Sequence, residues 1–238
     1  MCKDNGRGTI RKITIALLVT LAVCICGSLP AKQTAERFWA GDQSLFFMPT
    51  AYTMPKGSHA FTVYEVAYWQ YTYALTNSTH LSASTFMPLA INGLVPGFAA
   101  GIKQNYLKTE MVQAAAAIGY SPYFEKVILS NIVSIESDRI SFHAAGILLT
   151  DISELSRYHI IMSGAHIHFS ETFGLIGELF APNWDLGGYI FERYEQNAVS
   201  VCVTISNGTA RVDAGAMTPL QGKKDKPVTP LLKVSLMF

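Results

Sequence analysis

His166 and His168 stand two residues apart, with Glu171 and Glu178 close by, and these side chains come nearest to a recognisable chemical pattern. On an extended segment an i, i+2 spacing sends both imidazoles to the same side. A metal centre needs three or four converging ligands, so the pair alone does not make one. The plainer reading is polar filling of an interior, and His80 and His143 read the same way. Ser163 or Ser170 near His166 fits a serine–histidine template by proximity, but no nucleophile motif surrounds either serine. Cys202 also lacks a surrounding motif. No catalytic residue, metal ligand or cofactor is assigned, and the expectation is a protein that is not an enzyme.

A larger set is defined by charge. Lys103, Lys126, Glu136, Arg139, Glu178, Arg211, Asp213 and Lys233 fall, with His143, His166 and His168, on one face of alternating segments. Enclosed charges are costly unless paired. Arg211 and Asp213 share a face of one segment and suit such pairing. Mixed-sign charge lining an interior either knits a closed plug or borders a thin wet channel.

The elements that would position these residues begin after a leader. Lys3, Arg7, Arg11 and Lys12 precede an apolar run over 13–26, and Gly27, Ser28 and Pro30 come after it. That layout predicts a secretory signal over residues 1–31, the run being short for a membrane-spanning helix. A lipidated Cys24 is the alternative, for which Val23 is a poor preceding residue. Cys2, Cys24 and Cys26 lie in that stretch, so beyond it Cys202 has no cysteine to pair with. Setting aside its four basic residues and Asp4 leaves 14 basic and 16 acidic side chains, about −2. Nothing there resembles the basic footprint of a nucleic-acid binder. Half of the full chain is hydrophobic, yet no later stretch offers 18 consecutive apolar residues, which excludes helical membrane spans.

Beyond the leader the chain alternates with period two. Strands are expected over 44–52, 59–72, 79–89, 97–107, 111–121, 126–136, 139–149, 157–170, 172–181, 198–206, 210–216 and 229–238. The clearest is 198–206, where Val199, Val201, Val203 and Ile205 oppose Ser200, Cys202 and Thr204. The Asn207-Gly208 pair then signals a tight hairpin. Pro49 cannot donate to a ladder, which makes 44–52 the least regular of the set. The polar faces are rich in Gly, Ser, Thr and single charges of both signs, whereas a soluble sheet carries long charged side chains outside. Aromatics gather near segment ends: Trp69, Tyr71 and Tyr73; Tyr120, Tyr123 and Phe124; Phe180 and Trp184.

The last ten residues carry a more specific pattern. Leu232, Val234, Leu236 and Phe238 fall on one side, and Leu231, Lys233, Ser235 and Met237 on the other. This resembles the closing strand of Gram-negative outer-membrane β-barrel proteins, in which a terminal Phe is the assembly signal. The resemblance implies an all-β, single antiparallel up-and-down transmembrane barrel over 32–238, of about 12 strands, with ten as second choice. Loop lengths agree, because short connections (74–78, 108–110, 137–138, 171, 207–208) alternate with longer ones (53–58, 90–96, 151–156, 182–197, 219–228), with 122–125 intermediate. Short turns would be periplasmic and longer loops external, with Phe238 at the periplasmic end. The implied location is the outer membrane, and the implied partners are its lipid and the barrel-assembly machinery, which reads the last strand. A structural or small-solute passage role is the leading expectation. The alternatives are adhesion through the external loops, chiefly 182–197 with Trp184, Tyr189, Phe191 and Tyr194, a lipid-modifying barrel enzyme, and a soluble periplasmic β-sandwich.

Overall fold

The computed structural model describes residues 43–238 except 66–67, 87–96, 123–124, 152–156, 184–196 and 221–227. The leader over 1–31 and the aromatics of the 182–197 loop lie outside the described residues.

Twelve strands run in chain order: β1 (His59–Tyr64), β2 (Tyr68–Ala74), β3 (Thr79–Phe86), β4 (Gly97–Lys108), β5 (Val112–Ser121) and β6 (Lys126–Glu136) come first. They continue as β7 (Ile140–Asp151), β8 (Arg157–His168), β9 (Phe173–Asn183), β10 (Ala198–Ser206), β11 (Ala210–Pro219) and β12 (Thr229–Met237). Each pairs antiparallel with its chain neighbours, and β1 pairs with β12 to close a barrel. Closure leaves no sheet edge. At the seam the His59 N–H donates to the Phe238 carbonyl at 2.7 Å, and the Phe238 N–H donates back to the His59 carbonyl at 2.9 Å. The Phe238 ring stacks on His59 with centroids 5.6 Å apart.

Period-two alternation now has two physical sides. Phe98, Ile102, Ile118, Phe142, Ile205 and Leu232 are exposed on the outer wall, whereas Thr204, Asp213 and Lys233 are buried within. The rows at 199–205 and 210–216 therefore face outward, and a two-sheet sandwich with its own core is not what forms. A bulge in β4 between Asn105 and Leu107 leaves both Tyr106 and Leu107 exposed while Asn105 stays buried. Of the expected aromatic belt, Trp69, Tyr71 and Tyr120 are exposed. Phe180 departs from it, packing inward on Phe47 with centroids 5.6 Å apart. Its parity matches buried Glu178, so only its position near a strand end suggested a belt.

Two expected strands are corrected. Residues 44–52 form no wall strand; Ser44 and Pro49 make one isolated bridge inside the barrel. Pro49 and the unalternating run Leu45-Phe46-Phe47-Met48 suit a turn rather than a ladder. Residues 59–72 form not one strand but the β1–β2 hairpin, with Tyr64 opposite Tyr68. Glu65 opens its turn at φ 47°, a left-handed conformation uncommon outside glycine. The strand count stays at twelve.

The turns after β2, β4, β6, β8 and β10 lie at the end of the barrel beside Phe238, the short-turn end, whereas the three-residue β1–β2 turn lies at the opposite end. The 53–58 stretch was expected among the longer set, yet it lies at the short-turn end. There the Lys56 N–H donates to Asn77 Oδ1 at 2.8 Å, and the Gly57 N–H to the Ala74 carbonyl at 2.8 Å. Gly57 has φ +84°, which a side chain would strain.

Candidate functional site

The lumen holds the chain's own segment. Residues 43–54 enter from the short-turn end as an inner loop whose tip is Leu45-Phe46-Phe47-Met48. The Leu45 N–H donates to the Met48 carbonyl at 2.9 Å, and Thr50 closes the base through its N–H and hydroxyl to the Gln43 carbonyl. Leu45, Phe46, Met48 and Ala51 pack into one apolar layer with Ile132, Met162, Ile176, Met217 and Leu231 from the wall. Phe46 and Met48 have no exposed surface. Burial of this kind contributes about 1.5–3 kcal/mol per large side chain. Gly164 makes the room, since a Cβ there would lie 2.5 Å from Leu45 Cδ1 and 3.1 Å from the Gly177 carbonyl.

Polar wall groups hold the loop mainly by its main chain. Glu178 Oε1 accepts from the Phe47 and Met48 N–H groups at 2.9 and 2.8 Å, and Glu178 Oε2 accepts from the Ser200 hydroxyl at 2.8 Å. Arg211 donates to the Ser44 and Leu45 carbonyls at 2.8 and 3.3 Å, and its Nε pairs with Asp213 at 2.9 Å. Lys233 donates to the Ser44 hydroxyl and the Leu45 carbonyl, each at 2.5 Å, and lies 5.1 Å from the Tyr64 ring centre. Lower down, Lys103 donates to the Thr50 and Tyr52 carbonyls at 3.2 and 2.7 Å. Asn105 donates to the Ala51 carbonyl at 2.9 Å, and the Ala51 N–H donates to Ser134 Oγ at 2.9 Å. The Met54 N–H reaches His80 Nε2 at 2.6 Å. Strand alternation aims these side chains inward, and each charged one meets a peptide group or an opposite charge. A hydrogen bond to a charged group contributes about 1.5–3 kcal/mol, so the set offsets much of the cost of enclosing these charges.

The remaining site candidates divide by depth. His143 sits between Ser134 and Ser141, at 2.8 and 3.0 Å, with the Tyr52 ring packed edgewise at 5.4 Å. His166 and His168 stack with centroids 4.2 Å apart, and Gly174 leaves no room for a Cβ beside His166. Among the described residues no three His, Cys, Asp or Glu side chains converge as a metal site would require. Lys126 and Glu136 are half-buried at opposite ends of β6, and Glu136 interacts with Tyr52. Arg139 is exposed in the β6–β7 turn. The serine–histidine template is not assembled. Ser163 is exposed on the outer face of β8, whereas His166 is buried within. Ser170 accepts from the Phe173 N–H at 3.0 Å in the β8–β9 turn. Cys202 is buried in the apolar layer.

The loop does not fill the whole lumen. A cavity of ≈ 180 Å³ remains beside it, bordered by Gln70, Thr72, Ser82, Lys103, Ser130 and Phe47. Sequence reasoning missed the loop, its anchors Asn105 and Ser134, and Ser200, which braces Glu178. The available signal was the non-alternating Leu45–Met48 run ahead of Pro49.

No protein-family model matches the chain, and no curated protein matches it. Among solved structures it is similar to the KdgM porin, at 7% identity and a TM-score of 0.48, over 76% of this chain and 95% of that one. It is also similar to the NanC porin, at 8% identity and a TM-score of 0.49, over 76% of this chain and 98% of that one. A third is LpxR from Salmonella typhimurium, at 10% identity and a TM-score of 0.42, over 76% of this chain and 99% of that one. Likeness at this level leaves the chemistry of the chain to its own residues.

Proposed function

We propose that the chain is an integral outer-membrane barrel of structural or small-solute passage role, its lumen narrowed by the inner loop to a side channel. The observation that carries this reading is the inversion of sides: Val201 is 52% exposed on the outer wall while Lys233 is 0% exposed inside. An apolar outer wall of this extent exceeds the patches that soluble monomers expose. In hydrocarbon it is the expected exterior, and ring closure pairs the strand backbone. Export by the 1–31 leader, lipid contact, and recognition of β12 and Phe238 by the assembly machinery belong to the same reading. Passage would run through the ≈ 180 Å³ cavity, whose hydroxyl and amide border suits water and small polar solutes. The reading is non-enzymatic, supported by Ser163 facing away from His166.

Val201→Lys tests the membrane part. A lysine on a lipid-facing midplane position costs about 2–4 kcal/mol of folding stability in bilayers. A change below about 0.5 kcal/mol, usual for an exposed site in water, would overturn the assignment. Planar-bilayer recording tests passage: small, reproducible ion steps are expected, and silence from inserted protein removes that role.

A further inference from the structure

The polar hold on the inner loop is directed at peptide groups. Glu178, Arg211, Lys233, Lys103, Asn105, Ser134 and His80 contact backbone N–H or carbonyl groups of residues 44–54. Fewer polar side chains of the loop join in: Ser44 meets Lys233 and the Tyr64 hydroxyl, Tyr52 interacts with Glu136, and Thr53 donates to the Asn77 carbonyl. Such a wall discriminates by main-chain shape and by an apolar tip, with little dependence on polar side-chain sequence. The apolar layer that receives the tip is built from wall residues, including Met162, Ile176 and Leu231. The charged wall groups can exchange peptide partners for water, which keeps the net worth of each bond modest.

We infer that the inner wall is a polypeptide-binding site, filled in cis by residues 43–54 and able to take a peptide turn with an apolar tip in trans. The inference rests on the reading of a membrane barrel with a part-filled lumen. The loop is then a stopper whose departure opens the lumen and whose place another peptide turn can occupy. Free peptide would enter from the short-turn end, where the cis loop enters.

The test uses the full chain carrying Phe46→Ala and Met48→Ala, which strips the tip but leaves every wall donor and acceptor in place. Conductance is expected to rise about a hundredfold in open probability, given the cost of emptying such pockets. A synthetic peptide of residues 43–54, added at the short-turn side, is expected to return it to the wild-type level, and a scrambled peptide is not. With Arg211→Gln and Lys233→Gln in the full chain, the lumen opens and the peptide does not close it. A variant that inserts but conducts no more than the wild type, or that opens and ignores the peptide, overturns the inference. If the double tip variant does not refold, Phe46→Ala alone is read the same way. Fluorescence anisotropy of the labelled peptide with folded variant in detergent gives a readout independent of the bilayer. Failure to insert sinks the membrane reading, whereas absence of peptide binding in detergent sinks this one.

Discussion

The two sides of the lumen are built from the same alternating strands and treat the loop tip differently. On the β8–β12 side, Glu178, Arg211, Asp213 and Lys233 are almost wholly buried and grip the inner loop or one another. On the β2–β6 side, Gln70, Thr72, Ser82 and Ser130 border an open cavity. The contrast arises from side-chain type. The long charged groups there reach the loop tip and cannot be left dry without partners. Short hydroxyls and amides are satisfied by neighbours or by water and need no such partner. One side therefore grips the loop tip, and the other leaves space beside it while holding residues 50–54 through Lys103, Asn105, Ser134 and His80.

The largest expected effect breaks the grip on the loop tip. Glu178→Ala orphans the Phe47 and Met48 N–H groups and frees Ser200, at a cost of about 3–5 kcal/mol in urea unfolding from lipid or detergent. Conductance should rise with it. A loss under about 1 kcal/mol would mean that the contacts to the loop carry little energy. A matched insertion comes next. Gly164→Leu forces a side chain against Leu45 and the Gly177 carbonyl and should cost about 1–3 kcal/mol. Ala117→Leu places the same side chain at the cavity border, where it should leave stability nearly unchanged and shrink the ion steps. Equal destabilisation by the two would erase the distinction between the sides. The smallest effect belongs to Gln70→Ala, within about 0.5 kcal/mol of wild type by unfolding midpoint, with larger ion steps as the cavity widens.

Much of the wall was legible in the chain. From β3 onward each strand has an apolar row and a polar row, and the loop-length rhythm assigns the two ends. The errors have physical causes. The β1–β2 connection spans three residues, 65–67, so Tyr64 and Tyr68 keep the same parity and both point inward. Alternation runs through the turn without a break in phase. Glu65 also takes a left-handed conformation where Gly or Asn would have marked a turn. Residues 44–52 passed as a strand because a buried loop tip and a buried strand are both apolar runs. One strand wrongly added and one hairpin turn missed left the count at twelve.

The candidate site was legible only as a face. Parity placed Glu178, Arg211, Asp213 and Lys233 together opposite the apolar rows, because a strand turns every second side chain the same way. Their partners were not readable. Arg211 lies 167 residues from Ser44 and Lys233 lies 188 from Leu45, separations that only barrel closure brings within hydrogen-bond reach. The amino-acid order by itself determined which side chains share a side of the wall, since that depends on backbone geometry alone. Tertiary structure decided what the inner side encloses, because a lumen has contents only once twelve strands have closed around a segment that is not one of them.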